Sequence, residues 1–524
     1  MKYVIVTGGV ISGVGKGVFT SSIGMLLKAA GYQVNICKID PYLNRDAGTM
    51  NPFEHGECFV LDDGMECDLD LGNYERFLEK NLSSNSAITS GQIYNTVFAN
   101  ERRGDYLGKT VQIVPHVTDE IIHRLELLAE NHDYVVVELG GTVGDMESSI
   151  FYYAIRQLHR KYGRDNFYHV HVAPILQTHG NELKTKAAQT SATQLSERGI
   201  IPDYICLRLP SNYTTISDSI RDKLVFCCRK DIIVSPNCQS VYQVPELLYN
   251  QLKHLMPEFR GGNTFNHDFL ADFSRLGNAD RVTDQTIAVV GKYLHFEDGC
   301  TEDKSDAYLS LRHAIDHASM KVHNKLFRVR WFDAENMDLS ELSECTAVII
   351  TGGFGTRAYE NMINVARYCA DHDIPTLGIC LGFQVMVIAA ARSLGFIGAD
   401  TTEKNQNTEF PIIDIHEDSR KQHSKGGTLR KGSYYVTSLN TLPISSQQER
   451  FRHRYHLRPD LANILKSKSK HILFDGFTED LKDVATRFSL SNKRYYIGTQ
   501  AHCELTSRLH SPSEYFVNLM KTLY

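Results

Sequence analysis

The sequence predicts an α/β fold of two domains, each built around a mainly parallel sheet flanked by helices. Apolar runs of strand length alternate with longer helical patterns along most of the chain. Most of these runs are rich in Val and Ile and lack strict alternation, which is typical of strands covered on both faces. The length of 524 residues fits two large domains of roughly 250 residues each.

Five strands and one early helix are predicted in the first half. The predicted strands are residues 3–7, 34–39, 134–139, 168–173 and 204–209. Residues 18–30 follow the first strand with a helical pattern. Gly31 is a plausible end for that helix, because glycine adopts the left-handed conformation that often closes helices.

The strand and helix pattern fades after residue 257, which marks the end of the first predicted domain, 1–257. Residues 258–284 contain several Gly, Asn and Asp and show no sustained period, so we predict an interdomain linker there. The second predicted domain is 285–524, and its polar, irregular stretch 401–448 predicts long loops. Its predicted strands are residues 286–290, 326–332, 347–351, 375–379 and 495–500.

Charge and apolar patterning argue against two classes of protein. Lys plus Arg is 56 and Asp plus Glu is 62, a net charge of −6, whereas general nucleic-acid binders usually show a basic excess. Residues 374–391 carry no charge over a length close to that of a membrane span. Pro375, Gly378 and Gly382 interrupt this run, so a buried strand, a sharp turn and a buried helix explain it better.

The cysteines and the N-terminal residues predict a cytoplasmic protein. The first residues predict a strand that runs into glycines rather than a signal peptide. The cysteines are scattered and form no Cys-x-x-Cys pair, so neither a zinc site nor a thioredoxin-like motif is indicated. Free thiols are typical of a reducing compartment.

Residues 8–17 form a glycine-rich loop between the first strand and the first helix, with the sequence GGVISGVGKG. Glycines let backbone N–H groups converge on phosphate oxygens, and Lys16 would add a point charge. The usual motif has a glycine where Val10 stands and a Ser or Thr where Gly17 stands. A bound metal would therefore need other ligands, and the alternative interpretation is a turn without any ligand.

Acidic and basic side chains that could complete a phosphate site occur later in the first half. Asp68 and Asp70 share one side of an extended segment, and Glu138 ends a predicted strand that leads to Asp145. Read alone, each carboxylate is more typical of a solvated loop charge than of a metal ligand. The basic segments around Lys184 and around Lys223, read alone, are more typical of exposed surface than of a phosphate site.

A Gly-x-Cys-x-Gly sequence centred on Cys380 lies where a strand meets an uncharged helix, which is the cysteine form of a nucleophile elbow. A buried structural cysteine is the alternative. After the last predicted strand, His502 could act as general base and acid, with Glu504 orienting it. The amide of Leu381 and the glycine loop 352–355 could bind the developing oxyanion.

Together these residues resemble the CTP synthase family over essentially the whole chain. The motifs that carry the resemblance are residues 8–17, 38–42, 54–57, 68–77 and 138–145. The second half is similar to class I glutamine amidotransferase domains. The resemblance implies a phosphate-loop amidoligase domain followed by an amidotransferase domain. Together they would convert UTP, ATP and glutamine to CTP, ADP, phosphate and glutamate through a 4-phosphorylated UTP, the last step of de novo CTP synthesis.

The resemblance also implies roles for individual residues. The implied catalytic residues are Cys380, His502 and Glu504, and the implied magnesium ligands are Asp70 and Glu138. The implied ATP contacts are Gly13, Val14, Gly15, Lys16, Gly17, Val18, Lys38 and Asp70. The implied UTP or CTP contacts are Ser12, Asp145, Met146, Glu147, Lys184, Thr185, Lys186, Ala187, Ala188, Gln189 and Lys223. The implied glutamine contacts are Gly353, Leu381, Gly382, Phe383, Gln384, Glu409 and Arg454.

The resemblance further implies Mg²⁺, a GTP activator near Arg357, feedback inhibition by CTP, and a homotetramer, with filaments in some members. The sequence departs from the family at Ala187 and Cys503, where the family has prolines. Two other functions were weighed against this one. They are an amidotransferase acting on a different, carboxylate substrate, and a non-catalytic ATP-binding assembly protein.

Overall fold

The computed structural model describes residues 1–179, 182–259, 265–294, 306–415 and 429–523. Contacts within the chain divide it into two units. The first unit contains Met1–Ala47 and Asp70–Asn278, and the second contains Gly48–Leu69 and Ala279–Tyr524. The prediction placed residues 48–69 in the first domain, whereas their contacts assign them to the second unit.

The strands are β1 Lys2–Gly8, β2 Val34–Asp40, β3 Cys58–Val60, β4 Glu66–Asp68, β5 Ala87–Thr89, β6 Tyr134–Leu139, β7 Phe167–Pro174, β8 Leu176–Gln177, β9 Leu183–Lys184, β10 Tyr204–Leu209, β11 Asp231–Pro236, β12 Arg281–Gly291, β13 Leu326–Asp333, β14 Ala347–Ile350, β15 Thr376–Ile379, β16 Ala399–Thr401, β17 Phe410–Ile415, β18 Arg430–Val436, β19 Gln447–His453, β20 Tyr455–Leu457, β21 Ile472–Asp475, β22 Arg487–Leu490 and β23 Tyr496–Thr499.

The α-helices are α1 Lys16–Ala29, α2 Pro52–His55, α3 Asp70–Leu78, α4 Ser90–Arg103, α5 Thr118–Ala129, α6 Ser149–Tyr162, α7 Lys186–Glu197, α8 Asp218–Val225, α9 Val244–Leu255, α10 His267–Gly277, α11 Leu309–His323, α12 Tyr359–Asp371, α13 Leu381–Ser393, α14 Pro459–Lys468 and α15 Glu514–Met520. Shorter helical turns span Ser84–Ser86, Ile113–Val117, Arg164–Asn166, Val241–Gln243, Pro257–Phe259 and Leu339–Glu344.

The first unit is built on a parallel sheet with the strand order β11-β10-β7-β1-β6-β2-β5. Val and Ile side chains of β1 and β6 are fully buried, as expected for strands covered by helices on both faces. Because β1 is central, the loop that follows it opens at the carboxyl edge of the sheet. Glu138 on β6 is the register partner of Lys38 on β2, so both side chains reach that edge.

The second unit contains a sheet with the order β13-β12-β14-β15-β23-β22-β21. Its strands from β13 to β23 are parallel. Strand β22 runs antiparallel to β23, and β21 runs antiparallel to β22. Strands β15 and β23 are neighbours in register, with Ile379 opposite Thr499. The chain segments that follow these two strands therefore begin side by side.

The structure tests two predictions about the second half of the chain. The uncharged run 374–391 forms β15 and α13 with a turn between them, which confirms the strand–turn–helix prediction. No helix in the described part of the chain has the length and apolar character needed to cross a bilayer. The prediction of long loops over 401–448 is wrong where β17 and β18 lie within it, and residues 416–428 of that stretch lie outside the described residues.

The predicted linker 258–284 contains helix α10, whose first N–H groups are capped by the side chain of Asn266. The buried residues Leu270 and Phe273 give this helix an apolar face. The part of the predicted linker at 260–264 lies outside the described residues. Asn266, one of the polar residues that suggested a linker, is therefore the N-terminal cap of a helix.

Candidate active site

The glycine-rich loop of the first unit has the backbone geometry of a phosphate site. It runs from the end of β1 to Lys16, the first residue of α1. Gly13 and Gly15 have φ angles of 69° and 90°, a region that disfavours side chains. A Cβ on Gly15 would also lie 3.2 Å from Nε of Arg208. No side chain caps α1, so its first N–H groups point towards the loop, where they can bind an anion.

Gly17 leaves room for a carboxylate where the usual loop has a hydroxyl side chain. A Cβ on Gly17 would collide with Oδ1 of Asp70, the first residue of α3. The Asp70 carboxylate also forms an ion pair with Nζ of Lys38. The Asp70 carboxylate thus occupies the space of the Ser or Thr side chain that the loop lacks. Asp68, the other acidic residue of this segment, ends strand β4 and belongs to the second unit.

Glu138 is the second carboxylate at this edge of the sheet, and it is buried. Burial, followed by the charge of Asp70, raises the pKa of Glu138 to about 7. The hydroxyl of Tyr74 donates a hydrogen bond to it. A buried carboxylate whose ionisation is disfavoured by a neighbouring carboxylate fits a divalent cation, which would balance the negative charge.

Magnesium typically binds one or two carboxylates together with phosphates and waters. The described residues contain no group of three or more His, Cys, Asp or Glu able to hold a metal. Lys16 donates to the carbonyl of Gly141 at 2.9 Å. Burial lowers the pKa of Lys16, partly offset by Glu138, and the charge of Lys38 lowers it further. The two lysines lie among carboxylates, and Asp40, 3.4 Å from Lys38, is one that the prediction gave no role.

Most of the residues predicted to contact UTP lie near one end of α7 or the other, whereas Ser12 lies in the loop after β1 and Lys223 lies on α8. Asp145 accepts hydrogen bonds from the N–H and hydroxyl of Thr142 at 2.5 and 2.8 Å. Arg198, which follows α7, donates to the carbonyl of Val143 at 2.7 Å and so ties this loop to the helix. Met146 is 81% exposed, and Glu147 and Ser12 are exposed as well.

The other predicted UTP contacts lie at the start of α7. Lys184 forms an ion pair with Glu182 at 2.6 Å. Lys184, and to a lesser extent Lys223, lowers the pKa of Glu182, so both lysines lie near one acid that the prediction did not include. Thr185 precedes the helix, Lys186 begins it, and Ala187, Ala188 and Gln189 form its first turn. Of these, Ala188 is buried, whereas Lys186 is exposed.

Cys380 lies on a strained turn between β15 and α13. Its φ and ψ angles are 53° and −99°, a conformation that costs free energy for a residue with a side chain. A Cβ on Gly382 would collide with the carbonyl oxygen of Ile350, and one on Gly378 would lie 2.7 Å from the carbonyl carbon of Gly382. Both flanking glycines are therefore required by close backbone approach, as a nucleophile elbow demands.

His502 follows β23 and lies next to this elbow. Its Nδ1 is 2.7 Å from Oε1 of Glu504, which fixes the ring. Burial alone lowers the pKa of His502, but the charges of Glu504 and Cys380 outweigh it and raise the pKa well above its ordinary value. The buried Nε2 has no hydrogen-bond partner among the residues described, so it is available for a proton transfer.

Two glutamines support the sulfur atom of Cys380. Nε2 of Gln500 donates to Sγ at 3.6 Å, and Nε2 of Gln384 donates to Oε1 of Gln500 at 3.1 Å. On another side, Sγ lies 3.7 Å from the carbonyl oxygen of Arg452. The prediction gave no role to Gln500, although its place between β23 and His502 was a signal that it lies near the nucleophile.

Hydrogen bonds with Tyr293, Glu403 and Lys292 hold the later part of the glycine loop 352–355. Phe354 N–H donates to the hydroxyl of Tyr293 at 2.8 Å, and Gly355 N–H donates to Glu403 at 3.0 Å. Lys292, whose pKa burial lowers to about 8, donates to the carbonyl of Gly355 at 2.6 Å. Within the described part of the chain, Gly353 N–H makes no hydrogen bond, which leaves it suited to bind an oxyanion.

The acidic side chain at the glycine loop is Glu403 and not the predicted Glu409. Glu409 is exposed, and its Cβ lies beside Gly398, 3.2 Å from where a Cβ of that residue would be. Both residues belong to Thr-Glu pairs, so the sequence alone did not distinguish them. Arg454 lies at the turn between β19 and β20 and is partly buried.

The remaining predicted glutamine contacts begin α13. Leu381 and Gly382 are its first two residues, and Gln384 is engaged with Gln500. Phe383 is fully buried, with its Cα 3.1 Å from where a Cβ of Gly498 would be. Phe383 therefore contributes to the packing of α13 against β23.

Comparison with known proteins matches both halves of the chain. The family model described as CTP synthase N-terminus matches residues 2–258, and the model for glutamine amidotransferase class-I matches residues 304–522. The CTP synthase of Methanococcus maripaludis is 40% identical over 99% of this chain and 99% of its own length. The chain belongs to the CTP synthase family. The CTP synthase of Pyrococcus furiosus is 41% identical over 99% of this chain and 97% of its own length.

A solved structure is also similar to this CTP synthase family member. The glutaminase domain of Trypanosoma brucei CTPS with bound acivicin is 22% identical, over 46% of this chain and 93% of that domain, with a TM-score of 0.41. The two regions matched by family models fit glutamine-dependent amination of UTP to CTP, and the chain is a ligase with a glutaminase domain. The family match favours this function over the two alternatives weighed from the sequence.

Proposed function

We propose that the first unit activates UTP with ATP and that the second unit supplies ammonia at Cys380. The observation that carries this proposal is the presence, in one chain, of an intact phosphate loop and an intact Cys380–His502–Glu504 arrangement. The O4 atom of uracil is a poor leaving group, and phosphorylation by ATP turns it into one that departs as phosphate. Ammonia then attacks C4.

In the first unit, the N–H groups of the loop from Gly13 to Val18, together with Lys16 and Lys38, bind the phosphates of ATP. Asp70 and Glu138 would hold Mg²⁺, which supplies charge neutralisation to the transferred phosphoryl group. Tyr74 keeps the Glu138 carboxylate in place by donating to it. Asp145 and the lysines at the start of α7, with Lys223, contact UTP and the product CTP.

In the second unit, the Cys380 thiolate attacks the side-chain amide carbon of glutamine. His502 gives a proton from Nε2 to the departing ammonia, and Glu504 keeps the ring oriented through Nδ1. The N–H groups of Gly353 and Leu381 bind the oxyanion. Water, deprotonated by His502, then releases glutamate. We assign the positive charge of the glutamine backbone to Glu403 and its carboxylate to Arg454.

Several finer properties belong to the same proposal. Free ammonia is mostly protonated at neutral pH, so it must pass to UTP shielded from bulk water. GTP activates through the loop that contains Arg357, CTP inhibits by competing with UTP, and the enzyme works as a homotetramer. The cytoplasmic location is supported by free thiols at every described cysteine.

The test follows the conversion of UTP to CTP by absorbance, with glutamine or ammonia as nitrogen source. Cys380→Ala is expected to abolish the glutamine-dependent reaction and retain the ammonia-dependent one. Cys369→Ala, which removes another buried free thiol of the same unit, serves as the matched control and should retain both. Equal loss of both activities in Cys380→Ala would contradict separate sites, and a wild-type enzyme that never forms CTP would refute the function.

A further inference from the structure

The backbone of strand β19 contacts the Cys380 side chain and the His502 backbone in the second unit. The carbonyl of Arg450 accepts the backbone N–H of His502 at 2.8 Å. Two residues further, the carbonyl of Arg452 lies 3.7 Å from Sγ of Cys380. The position of this strand therefore sets the position of the nucleophile and of its general base relative to each other.

The side chains of the same two arginines are held by carboxylates from the segment Gly48–Leu69. Residues two apart on a strand present their side chains on one face, so Arg450 and Arg452 reach the same neighbour. Nε of Arg450 lies 2.7 Å from Oδ1 of Asp62, and Nε of Arg452 lies 2.8 Å from Oε1 of Glu66. Asp62 follows β3, and Glu66 begins β4.

Each of these ion pairs has one buried partner. The Arg450 side chain is 0% exposed and that of Asp62 is 37% exposed, whereas the Glu66 side chain is 4% exposed and that of Arg452 is 14% exposed. Lys431 on β18 gives Glu66 a second partner at 2.7 Å. Burial alone raises the pKa of Glu66, but Arg452 and Lys431 outweigh it and lower the pKa, so Glu66 stays charged. Buried guanidinium–carboxylate contacts hold their partners in one orientation.

We propose that Asp62 and Glu66 are positioning residues of the glutaminase site, acting on Cys380 and His502 through the backbone of β19. This inference rests on the proposed glutaminase function and adds residues from the first half of the sequence to it. Neither carboxylate is proposed to contact glutamine.

A second contact extends the effect to the oxyanion loop. The guanidinium of Arg452 lies over the ring of Phe354, 4.9 Å from its centroid, on the glycine loop that precedes the elbow. Loss of Glu66 would release Arg452 from its fixed orientation and disturb this loop as well as the carbonyl near Cys380. Glu66 also precedes Asp70, the proposed magnesium ligand, by four residues of sequence. The same short stretch of chain thus carries a determinant of each active centre.

The test measures glutamine hydrolysis and CTP formation in full-length Glu66→Gln and Asp62→Asn. We expect kcat for glutamine hydrolysis to fall by about 10- to 100-fold, because misplacement of catalytic groups by around 1 Å has effects of this size. KM for glutamine should change less than about twofold, since the proposed glutamine contacts remain. CTP formation from ammonia should stay at the wild-type rate, and alkylation of Cys380 by iodoacetamide should slow in parallel with kcat.

The control is Glu54→Gln, which neutralises an exposed carboxylate of the same segment that pairs with His55. If Glu66→Gln is not folded, kcat for glutamine hydrolysis is measured in Glu66→Asp instead. That variant keeps the charge but shortens the side chain that holds Arg452. Lower glutaminase kcat with full ammonia-dependent activity supports the inference, and an unchanged kcat overturns it. A wild-type protein without glutaminase activity would instead refute the proposed function itself, so the two failures are distinguishable.

Discussion

Gly17→Ala tests whether Asp70 takes the place of the missing hydroxyl in the phosphate loop. The new Cβ would lie 2.8 Å from Cγ of Asp70, whereas ordinary contacts are 3.4–4 Å. Cγ of Asp70 must therefore retreat by about 0.6 to 1.2 Å, and its Oδ1, which would lie closer to the new Cβ, by more. A displacement of that size at a catalytic ligand costs roughly 100-fold in rate. The substitution should not weaken α1, because Ala is favoured over Gly in helices by about 0.5–1 kcal/mol.

The assay is CTP formation from ammonia, titrated with Mg²⁺, because ammonia bypasses the glutaminase site. We expect Gly17→Ala to need more Mg²⁺ and to reach a lower kcat, while glutamine hydrolysis continues and the melting temperature does not fall. Thr20→Ala is the control, since it removes a hydroxyl of α1 that has no hydrogen-bond partner among the described residues. A Gly17→Ala enzyme with the wild-type Mg²⁺ dependence would refute the role given to Asp70.

Two further predictions concern buried charges of the second unit. Glu504→Gln removes a charge that raises the pKa of His502, so it should lower the melting temperature most below about pH 6.5, with the difference shrinking as pH rises through the folded pKa. A difference that grows with pH would contradict this. Arg487→Met should destabilise the protein by about 3–5 kcal/mol in denaturant unfolding, because it leaves the buried Glu449 without its partner at 2.7 Å. The double variant Arg487→Met/Glu449→Leu should lose much less unfolding free energy than the single variant. Equal losses in the single and double variants would show that an unpaired Glu449 charge is not the cause.

The sequence predicted the central strands of both sheets because buried parallel strands carry long runs of Val and Ile. It missed β5 and β11 of the first sheet and β21 and β22 of the second. It also located the phosphate loop and the elbow, since glycines at fixed spacing reflect local backbone needs. The prediction failed for β18, where Arg, Lys, Ser and Tyr hide the pattern of a strand. Such a strand is stabilised by partners that are distant in sequence, such as the contact of Lys431 with Glu66.

The finer assignments of the site depended on contacts that spacing cannot show. Glu403 and Glu409 are each preceded by threonine, and only the fold shows which one meets Gly355. The sequence indicated that Gly17 left a metal without its usual ligand, but Asp70 lies 53 residues further along and needed the resemblance to be singled out. Gln500 had no motif of its own, because its role comes from the adjacency of β15 and β23.

The contacts of residues 48–69 have a practical consequence for anyone who divides this protein. A fragment cut at the predicted boundary, residues 285–524, would keep Arg450 and Arg452 but lose both of their counter-ions. The guanidinium of Arg450, fully enclosed in the intact chain, would then be left without Asp62. Recombinant production of the rear half alone should therefore include a tethered copy of the β3–β4 hairpin.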